Sequence, residues 1–335
     1  MSNVLQIFIC ISYVLSMKCQ RVIRLFKIAV SCLHVHRCKC LVRQLHSAQS
    51  LPAPKALRLA YASYEGTRSH SASEPLVPPL IIMHGLFGSK GNWNSLSKVF
   101  NARTVPQRKV IAVDARNHGD SPHASEHSYE AMAQDIRQLM LDIDRRMERV
   151  ALLGHSMGGR AMMLFALQWP ELVDRLIVAD ISPVSTSNSE NTMLRYFEVL
   201  QSVTVPDNVS LSAARVLADT HLARVIPDKG VRAFLLTNLV QKADGSFRWR
   251  MNIDALLTNY HKITQFSIAD GLKYEGPTLF IAGGASDYIQ KRDHGHIKQL
   301  FPNAEFQTID GAGHWLHSEK PHEFVDICLD ILNRT

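Results

Sequence analysis

The sequence has no acidic residue before Glu65 and only one cysteine, Cys328, after it. Nine of the 37 Lys and Arg residues precede Glu65, which leaves 28 basic residues against all 30 acidic residues in the remainder. The net charge of +7 therefore belongs to the N-terminal extension, and the nearly neutral remainder argues against nucleic-acid binding. A single thiol excludes an internal disulfide in the remainder and favours a reducing compartment.

The N-terminal extension, residues 1–50, has the composition of a targeting segment. Residues 4–15 fall in an apolar run that no charged residue precedes and that is short for a membrane span. From Met17 onward, Arg and Lys alternate with apolar residues and a small polar stretch follows, which is typical of a mitochondrial transit peptide. We therefore predict import into the mitochondrial matrix with cleavage between about Arg43 and Ser50. A membrane anchor built from residues 4–15 is the alternative.

The stretch Val150–Pro170 has the pattern of a strand, a sharp turn and a helix. The apolar run Val150–Leu153 is typical of a parallel strand that is buried on both faces, and the sequence GHSMG follows at 154–158. A G-x-S-x-G sequence between a strand and a helix indicates a nucleophile elbow, in which a tight turn presents the serine hydroxyl at a helix N-terminus. Ser156 is therefore the predicted nucleophile.

A second glycine-containing turn, HGLFG at 84–88, follows another apolar run. A loop in this position, next to the elbow, can donate a backbone N–H to a developing oxyanion. We assign one donor to Met157 and the other to Leu86, with Phe87 as the alternative to Leu86. The His84 ring is predicted to support the loop by hydrogen bonding and not to act as a catalyst.

Strands and helices alternate along the chain after residue 50, which we take as one domain, 51–335. Strands are predicted within Leu57–Tyr64 and at Leu80–Met83, Val110–Val113, Leu176–Ala179, Thr278–Ala282 and Phe306–Ile309, and helices at Ser128–Ile143 and Pro321–Leu332. This order predicts an α/β fold with a doubly wound, mostly parallel sheet. One insertion, residues 183–275, has helical periodicity and no strong strand. We predict that it forms a helical cap over the serine.

His314 is the predicted general base. It lies in a glycine-flanked run after the last strand, and it follows the nucleophile in the chain. An acid must orient the imidazole and stabilise its charged form. Asp180, which closes the strand Leu176–Ala179, and Asp287, which follows the strand ending at Ala282, both qualify.

Six runs of the sequence form a recognisable set. They are HGLFGS at 84–89, DARNHGDSPH at 114–123, GHSMGG at 154–159, DISPV at 180–184, WRMNIDAL at 249–256 and GAGHW at 311–315. Together they resemble the α/β-hydrolase superfamily, and specifically the α/β-hydrolase domain-containing protein 11 group and its bacterial esterase relatives. The resemblance covers about residues 55–332. It implies the α/β-hydrolase fold, hydrolysis of carboxylic esters, substrates of the acylglycerol type and a mitochondrial address.

The resemblance also bears on the acid. It favours Asp180, because the DISP run is typical of the group, and it adds Asp254 of the WRMNIDAL run as a further candidate. Asp287 occupies the commoner position for the general fold. All three aspartates therefore stay open, with Asp180 preferred.

The predicted chemistry is acyl transfer to water through a covalent acyl-enzyme, for which no metal or organic cofactor is required. The expected partner is a small ester or lipid, with a peripheral membrane contact as a further prediction. Thioester hydrolysis by the same machinery is one alternative. A non-catalytic protein that binds a ligand or another protein is the other.

Overall fold

The computed structural model describes residues 54–66, 77–184 and 190–334. The chain divides into two units, Met1–Ala53 and Pro54–Thr335. The predicted transit peptide and the alternative anchor at residues 4–15 lie outside the described residues. No helix among the described residues is long and apolar enough to cross a membrane.

A seven-stranded sheet forms the centre of the body. Its strands are β1 (Tyr61–Tyr64), β2 (Leu80–Met83), β3 (Val110–Val113), β4 (Val150–His155), β5 (Val173–Ala179), β8 (Thr278–Gly283) and β9 (Ala304–Ile309). They lie in the order β1-β3-β2-β4-β5-β8-β9, with β1 antiparallel to β3 and all other pairs parallel. The predicted doubly wound, mostly parallel sheet is confirmed. The chain leaves β2 and β4 in opposite directions, so a crevice forms where these strands end.

Helices cover both faces of the sheet and form the cap. The described helices are α1 (Asn94–Arg103), α2 (Tyr129–Ile143), α3 (Met157–Gln168), α4 (Glu190–Ser202), α5 (Leu211–Leu222), α6 (Lys229–Leu236), α7 (Ile253–Thr258), α8 (Tyr260–Thr264), α9 (His294–Leu300), α10 (Leu316–Glu319) and α11 (Pro321–Leu332), with 3₁₀ turns at Lys90–Trp93, Pro170–Leu172 and Lys291–Asp293. Ser128 is the N-cap of α2, and its hydroxyl accepts from the Ala131 N–H. Helices α1, α9 and α10 were not predicted.

The apolar strands are buried on both faces because their alternate side chains enter two separate clusters. In β2, Leu80 and Ile82 belong to the same cluster as Phe100 of α1 and the apolar side chains of α11, whereas Ile81 and Met83 belong to the cluster that contains side chains of α2 and Phe165 of α3. This two-sided burial is the reason that the central strands are continuous apolar runs.

The cap, between β5 and β8, contains helices α4–α8 around a third apolar cluster, which also includes Phe87 of the body, and the helices agree with the helical periodicity. The expectation that it has no strong strand needs a correction. A short antiparallel hairpin pairs β6 (Leu239–Gln241) with β7 (Phe247–Trp249). Its turn contains Asp244-Gly245, and Gly245 has φ of 84°. An Asp-Gly pair between two short apolar runs is a hairpin signal that the helical periodicity around it concealed.

Candidate active site

Ser156 lies between β4 and α3 with φ of 53° and ψ of −120°, a conformation that a non-glycine residue rarely adopts. A Cβ added to Gly154 would lie 2.4 Å from the carbonyl oxygen of Gly158. One added to Gly158 would lie 2.4 Å from the carbonyl oxygen of Met83. Glycine at both positions therefore allows the helix to pack closely on the sheet, and the serine hydroxyl is presented at the N-terminus of α3.

Three polar side chains from separate loops form a hydrogen-bonded series. His314, in the loop after β9, has Nε2 at 3.0 Å from Ser156 Oγ and Nδ1 at 2.8 Å from Asp180 Oδ2. The Asp180 side chain is fully buried, and its residue has φ of 50°. Its carboxylate also accepts from the Gly283 N–H at 2.9 Å and from the Ser286 hydroxyl. These three donors satisfy a buried anion whose desolvation would otherwise be costly.

The backbone N–H groups near Ser156 are not equally available to a ligand. Met157 is the first residue of α3, where an N–H has no partner within the helix. The Phe87 N–H donates to His118 Nε2 at 3.2 Å, so this alternative donor is already engaged. Leu86 and Met157 both line the cavity that contains Ser156. The arrangement is therefore compatible with the pair of donors expected from the sequence.

The cavity at Ser156 has a volume of about 110 Å³ and lies between the body and the cap. The cap contributes mainly apolar and aromatic side chains: Met193, Tyr196, Val231, Phe234, Leu235 and Tyr260. Body residues include His314, Trp315 and the buried Arg160. A cavity with this lining suits a ligand with an apolar part and one reacting polar group.

Comparison with known proteins agrees with this geometry. A sequence profile described as alpha/beta hydrolase fold matches residues 78–321. The chain belongs to the α/β-hydrolase fold family. It is 46% identical over 256 residues to a Mus musculus protein named sn-1-specific diacylglycerol lipase ABHD11, covering 76% of this chain and 81% of that one. A Danio rerio protein of the same name is 38% identical, with 85% and 86% covered.

A solved structure, titled marine microorganism esterase, is also similar to this α/β-hydrolase. Its TM-score is 0.73 and its sequence identity is 37%, with 82% of this chain and 99% of that chain covered. Together with the sequence relatives, it confirms the resemblance and the fold that the six sequence runs indicate.

The three candidate acids of this α/β-hydrolase lie in different places. Asp180 is bonded to His314, as described above. Asp254 lies in α7 of the cap, where its Oδ1 accepts from the Gln201 amide at 2.9 Å. Asp254 is thus not part of the hydrogen-bonded series, because its position on the cap directs the carboxylate to another cap helix. Asp287 lies in the loop that follows β8.

Two buried histidines hold the loop that carries Leu86. The Ala115 N–H donates to His84 Nε2 at 3.0 Å, so Nδ1 of that ring donates to the Gly85 carbonyl at 2.7 Å. His118, which accepts from the loop as described above, donates from Nδ1 to the Arg116 carbonyl at 3.0 Å. Burial lowers the pKa of both rings, which keeps them neutral and able to accept. The bracing role predicted for His84 is confirmed by these contacts.

Three further side chains at the site were missed from the sequence. His155, inside the GHSMG motif, donates from Nε2 to the His314 carbonyl at 2.8 Å, and burial lowers its pKa. The ring of Tyr288 stacks on that of His314 with centroids 4.0 Å apart. Ser286 contacts Asp180. The motif itself could have indicated His155, but nothing in the local pattern distinguishes Tyr288 or Ser286 from ordinary loop residues.

Proposed function

We propose that this α/β-hydrolase cleaves acylglycerol-type lipid esters, with Ser156 as nucleophile, His314 as general base and acid, and Asp180 as the acid that orients the imidazole. The observation that carries the proposal is the unbroken hydrogen-bonded series Asp180–His314–Ser156 at the wall of a mainly apolar cavity. The names of the sequence relatives support an acylglycerol as the substrate class.

In the proposed acylation step, His314 Nε2 takes the hydroxyl proton of Ser156 as Oγ forms a bond to the ester carbonyl carbon. The carbonyl oxygen becomes an oxyanion, which the Leu86 and Met157 N–H groups stabilise by donating to it. His314 then returns the proton to the leaving alkoxide as the carbon–oxygen bond breaks. The alcohol departs, and the acyl group stays on Ser156.

The deacylation step repeats this sequence with water. His314 takes a proton from water as the water oxygen attacks the acyl carbon, and the same two N–H groups hold the second oxyanion. Returning the proton to Ser156 Oγ releases the fatty acid. Asp180 stabilises the imidazolium in both steps and keeps the proton of the neutral ring on Nδ1, so that Nε2 faces the serine.

We also propose a peripheral contact with an anionic lipid surface through the cap. Val216 and Leu217 of α5 are 64% and 46% exposed, and the cations Arg215 and Arg224 of the same segment are exposed as well. The double variant Val216→Ser/Leu217→Ser should lose binding to phosphatidylglycerol vesicles in a sedimentation assay. Val105→Ser, which alters an exposed residue of the body, is the control and should bind as the wild type does.

Import into the mitochondrial matrix is a further proposal, supported by the acid-free, Arg-containing composition of residues 1–50. A fusion of residues 1–50 to a fluorescent protein should reach the matrix. Glycosylation in the secretory route, or a cytosolic signal, would contradict the proposal.

The function is tested with the purified body as wild type and as Ser156→Ala. We expect a fluorophosphonate to label the wild type alone, and Ser156→Ala to lower kcat on a diacylglycerol by about 10⁴-fold or more. A panel of monoacyl and diacyl glycerols and acyl thioesters then identifies the preferred substrate. Higher kcat/KM on the thioesters would indicate a thioesterase. No labelling of a folded wild type would leave a non-catalytic binding protein.

A further inference from the structure

Arg160 is a buried cation one helical turn beyond the proposed nucleophile. It lies on α3, and its backbone N–H donates to the Ser156 carbonyl at 3.2 Å. The residue is only 3% exposed, and it forms part of the cavity wall. A charge in this position is costly to bury unless hydrogen bonds replace the lost water. The partners of the guanidinium therefore indicate what it does.

The guanidinium contacts both ends of the cap. Nε donates at 3.1 Å to the carbonyl of Ser182, where the chain has left β5 and enters the cap. Nη1 donates to the carbonyls of Ile263 and Thr264, both at 3.1 Å, where α8 ends and the chain returns to the body. The Tyr129 hydroxyl of α2 donates to the same Ile263 carbonyl at 2.7 Å. One side chain on the nucleophile helix thus joins the entry and the exit of the insertion.

The chemistry of these contacts suits a cation. The last carbonyls of a helix have no intrahelical donor, and the C-terminus of the helix carries partial negative charge. Arginine supplies several donors in one plane, so it can reach carbonyls from two separate segments, and hydrogen bonds from an ionised donor are stronger than neutral ones. The Phe266 ring, just after α8, lies 5.7 Å from the guanidinium carbon and adds a cation–π contact.

These contacts also shape the substrate cavity, because Ile263 and Thr264 line it together with Arg160. A shift of α8 relative to α3 would change the distance between this wall and Ser156. A short acyl group needs little of the wall, whereas a long acyl chain must lie along it.

We propose that Arg160 is a positioning residue that fixes the two ends of the cap on the nucleophile helix and thereby determines how well the cavity accepts long acyl chains. The inference rests on the proposed ester hydrolysis for its kinetic readout. It concerns the cap wall and assigns Arg160 no part in bond breaking.

The kinetic test compares p-nitrophenyl decanoate with p-nitrophenyl acetate in the wild type and in Arg160→Met, Arg160→Lys and Tyr129→Phe. We expect Arg160→Met to lower the decanoate-to-acetate ratio of kcat/KM by about 10-fold or more, chiefly through a higher KM for decanoate. Arg160→Lys and Tyr129→Phe, which keep part of the network, should each lower the ratio about threefold. A loss of folded protein lowers kcat for both esters equally, so it leaves this ratio unchanged.

The matched control is Arg175→Met. Arg175 is another buried arginine that donates to backbone carbonyls, those of Ile331 and Arg334, but it does so in the body, away from the cap. Arg175→Met should lower the free energy of unfolding while it keeps the wild-type decanoate-to-acetate ratio of kcat/KM. The inference is overturned if the Arg160 variants label with fluorophosphonate and keep the wild-type ratio. If Arg160→Met does not fold, the other two variants decide in the same way.

Hydrogen exchange provides a readout that does not depend on catalysis. In a Ser156→Ala background, Arg160→Met should accelerate amide exchange in residues 260–266 relative to the same background with Arg175→Met. Equal exchange in the two would overturn the inference. If the wild type hydrolyses none of the esters, the proposed function fails, and this measurement still tests the attachment of the cap.

Discussion

The loops at the carboxyl end of the sheet are fixed by polar contacts and steric limits, whereas the cap is held mainly by apolar packing. Asp180 is fully buried among three hydrogen-bond donors, and a side chain at Gly158 would collide with backbone. The cap instead surrounds an apolar cluster that includes Phe197, Leu222 and Leu235. Apolar packing tolerates exchange of side chains of similar volume, but a buried polar series does not. We therefore expect the body to set the chemistry and the cap to set the substrate range.

The two regions also meet through polar contacts. The amide of Asn238, between α6 and β6, donates to the Phe87 carbonyl at 2.8 Å, next to the loop that carries Leu86. Arg160 joins the ends of the cap to α3, as described above. Further contacts join the cap to the loop after β3, where Asn252 bonds Asn117 and the Asn259 amide donates to the Ser125 carbonyl at 2.8 Å. The following predictions test how sharply the two regions differ.

The largest expected effect comes from Asp180→Asn. The amide keeps the shape of the carboxylate but cannot stabilise the imidazolium, and it favours the wrong tautomer of His314. We expect kcat on a soluble ester to fall by about 10⁴-fold with little change in KM. Steady-state kinetics on the folded variant measures this directly.

Asp254→Asn and Asp287→Asn are the controls for this substitution. Asp254 bonds Gln201 within the cap, so its variant should keep kcat within about threefold of the wild type. A fully active Asp180→Asn, or a loss of the same size in either control, would contradict the assignment of Asp180.

A smaller effect, on stability, is expected from Gly158→Ala. The added Cβ would lie 2.4 Å from the Met83 carbonyl oxygen and 2.5 Å from that of His84, and neither backbone atom can move easily. We expect the free energy of unfolding to fall by more than about 2 kcal/mol in urea titrations.

Gly295→Ala is the matched control. Gly295 lies in α9 with nothing within 4 Å of its Cβ position, so alanine should stabilise by up to about 1 kcal/mol. Equal changes in the two would show that steric limits do not distinguish the elbow.

The loops of the body are fixed by steric limits and polar contacts, whereas the cap is held mainly by apolar packing. This difference also explains how much could be predicted from the sequence. The elbow was predictable because close packing demands glycine at fixed spacing around Ser156, and steric demands of this kind leave a motif. The central strands were predictable because burial on both faces leaves an apolar run. The start of β5 at Val173 was missed since Asp174 and Arg175 are charged, although Arg175 is buried and donates to carbonyls at the C-terminal end of the chain. The hydrophobic periodicity of a sequence indicates which apolar side chains are buried, but it does not indicate which charged side chains are buried and paired.

The acid that bonds His314 and the cavity-lining residues of the cap were harder to predict from the sequence, for a related reason. Which aspartate bonds His314 depends on contacts between residues more than 100 positions apart, and local pattern carries no such information. Ser286 and Tyr288 are likewise placed by contacts with residues outside their own loop, Asp180 and His314. In the cap, apolar residues at helical spacing predict helices, but they do not report which of them face the cavity.

The smallest expected effect concerns the pH dependence of stability. His317 lies against the sheet body, with its ring stacked on Trp93 at a centroid distance of 4.5 Å. Burial lowers the pKa of His317 to about 3, from an ordinary value near 6.5. The unfolded chain therefore takes up a proton below pH 6.5 that the folded chain does not accept until the pH approaches 3. The stability that this ring contributes is fully present above pH 6.5 and declines as the pH falls towards 3.

Replacing the ring with an apolar one of similar shape removes this proton uptake. Between pH 7.5 and pH 5.5, His317→Phe should lose about 1.4 kcal/mol less unfolding free energy than the wild type, because one proton no longer favours the unfolded chain. His322→Phe, at an exposed position of α11, is the control and should keep the wild-type loss. Urea titrations at the two pH values give the comparison. The same loss in His317→Phe as in the wild type would mean that the buried ring is protonated in the folded protein. The packing of the body around Trp93 would then be looser than the steric limits described above allow.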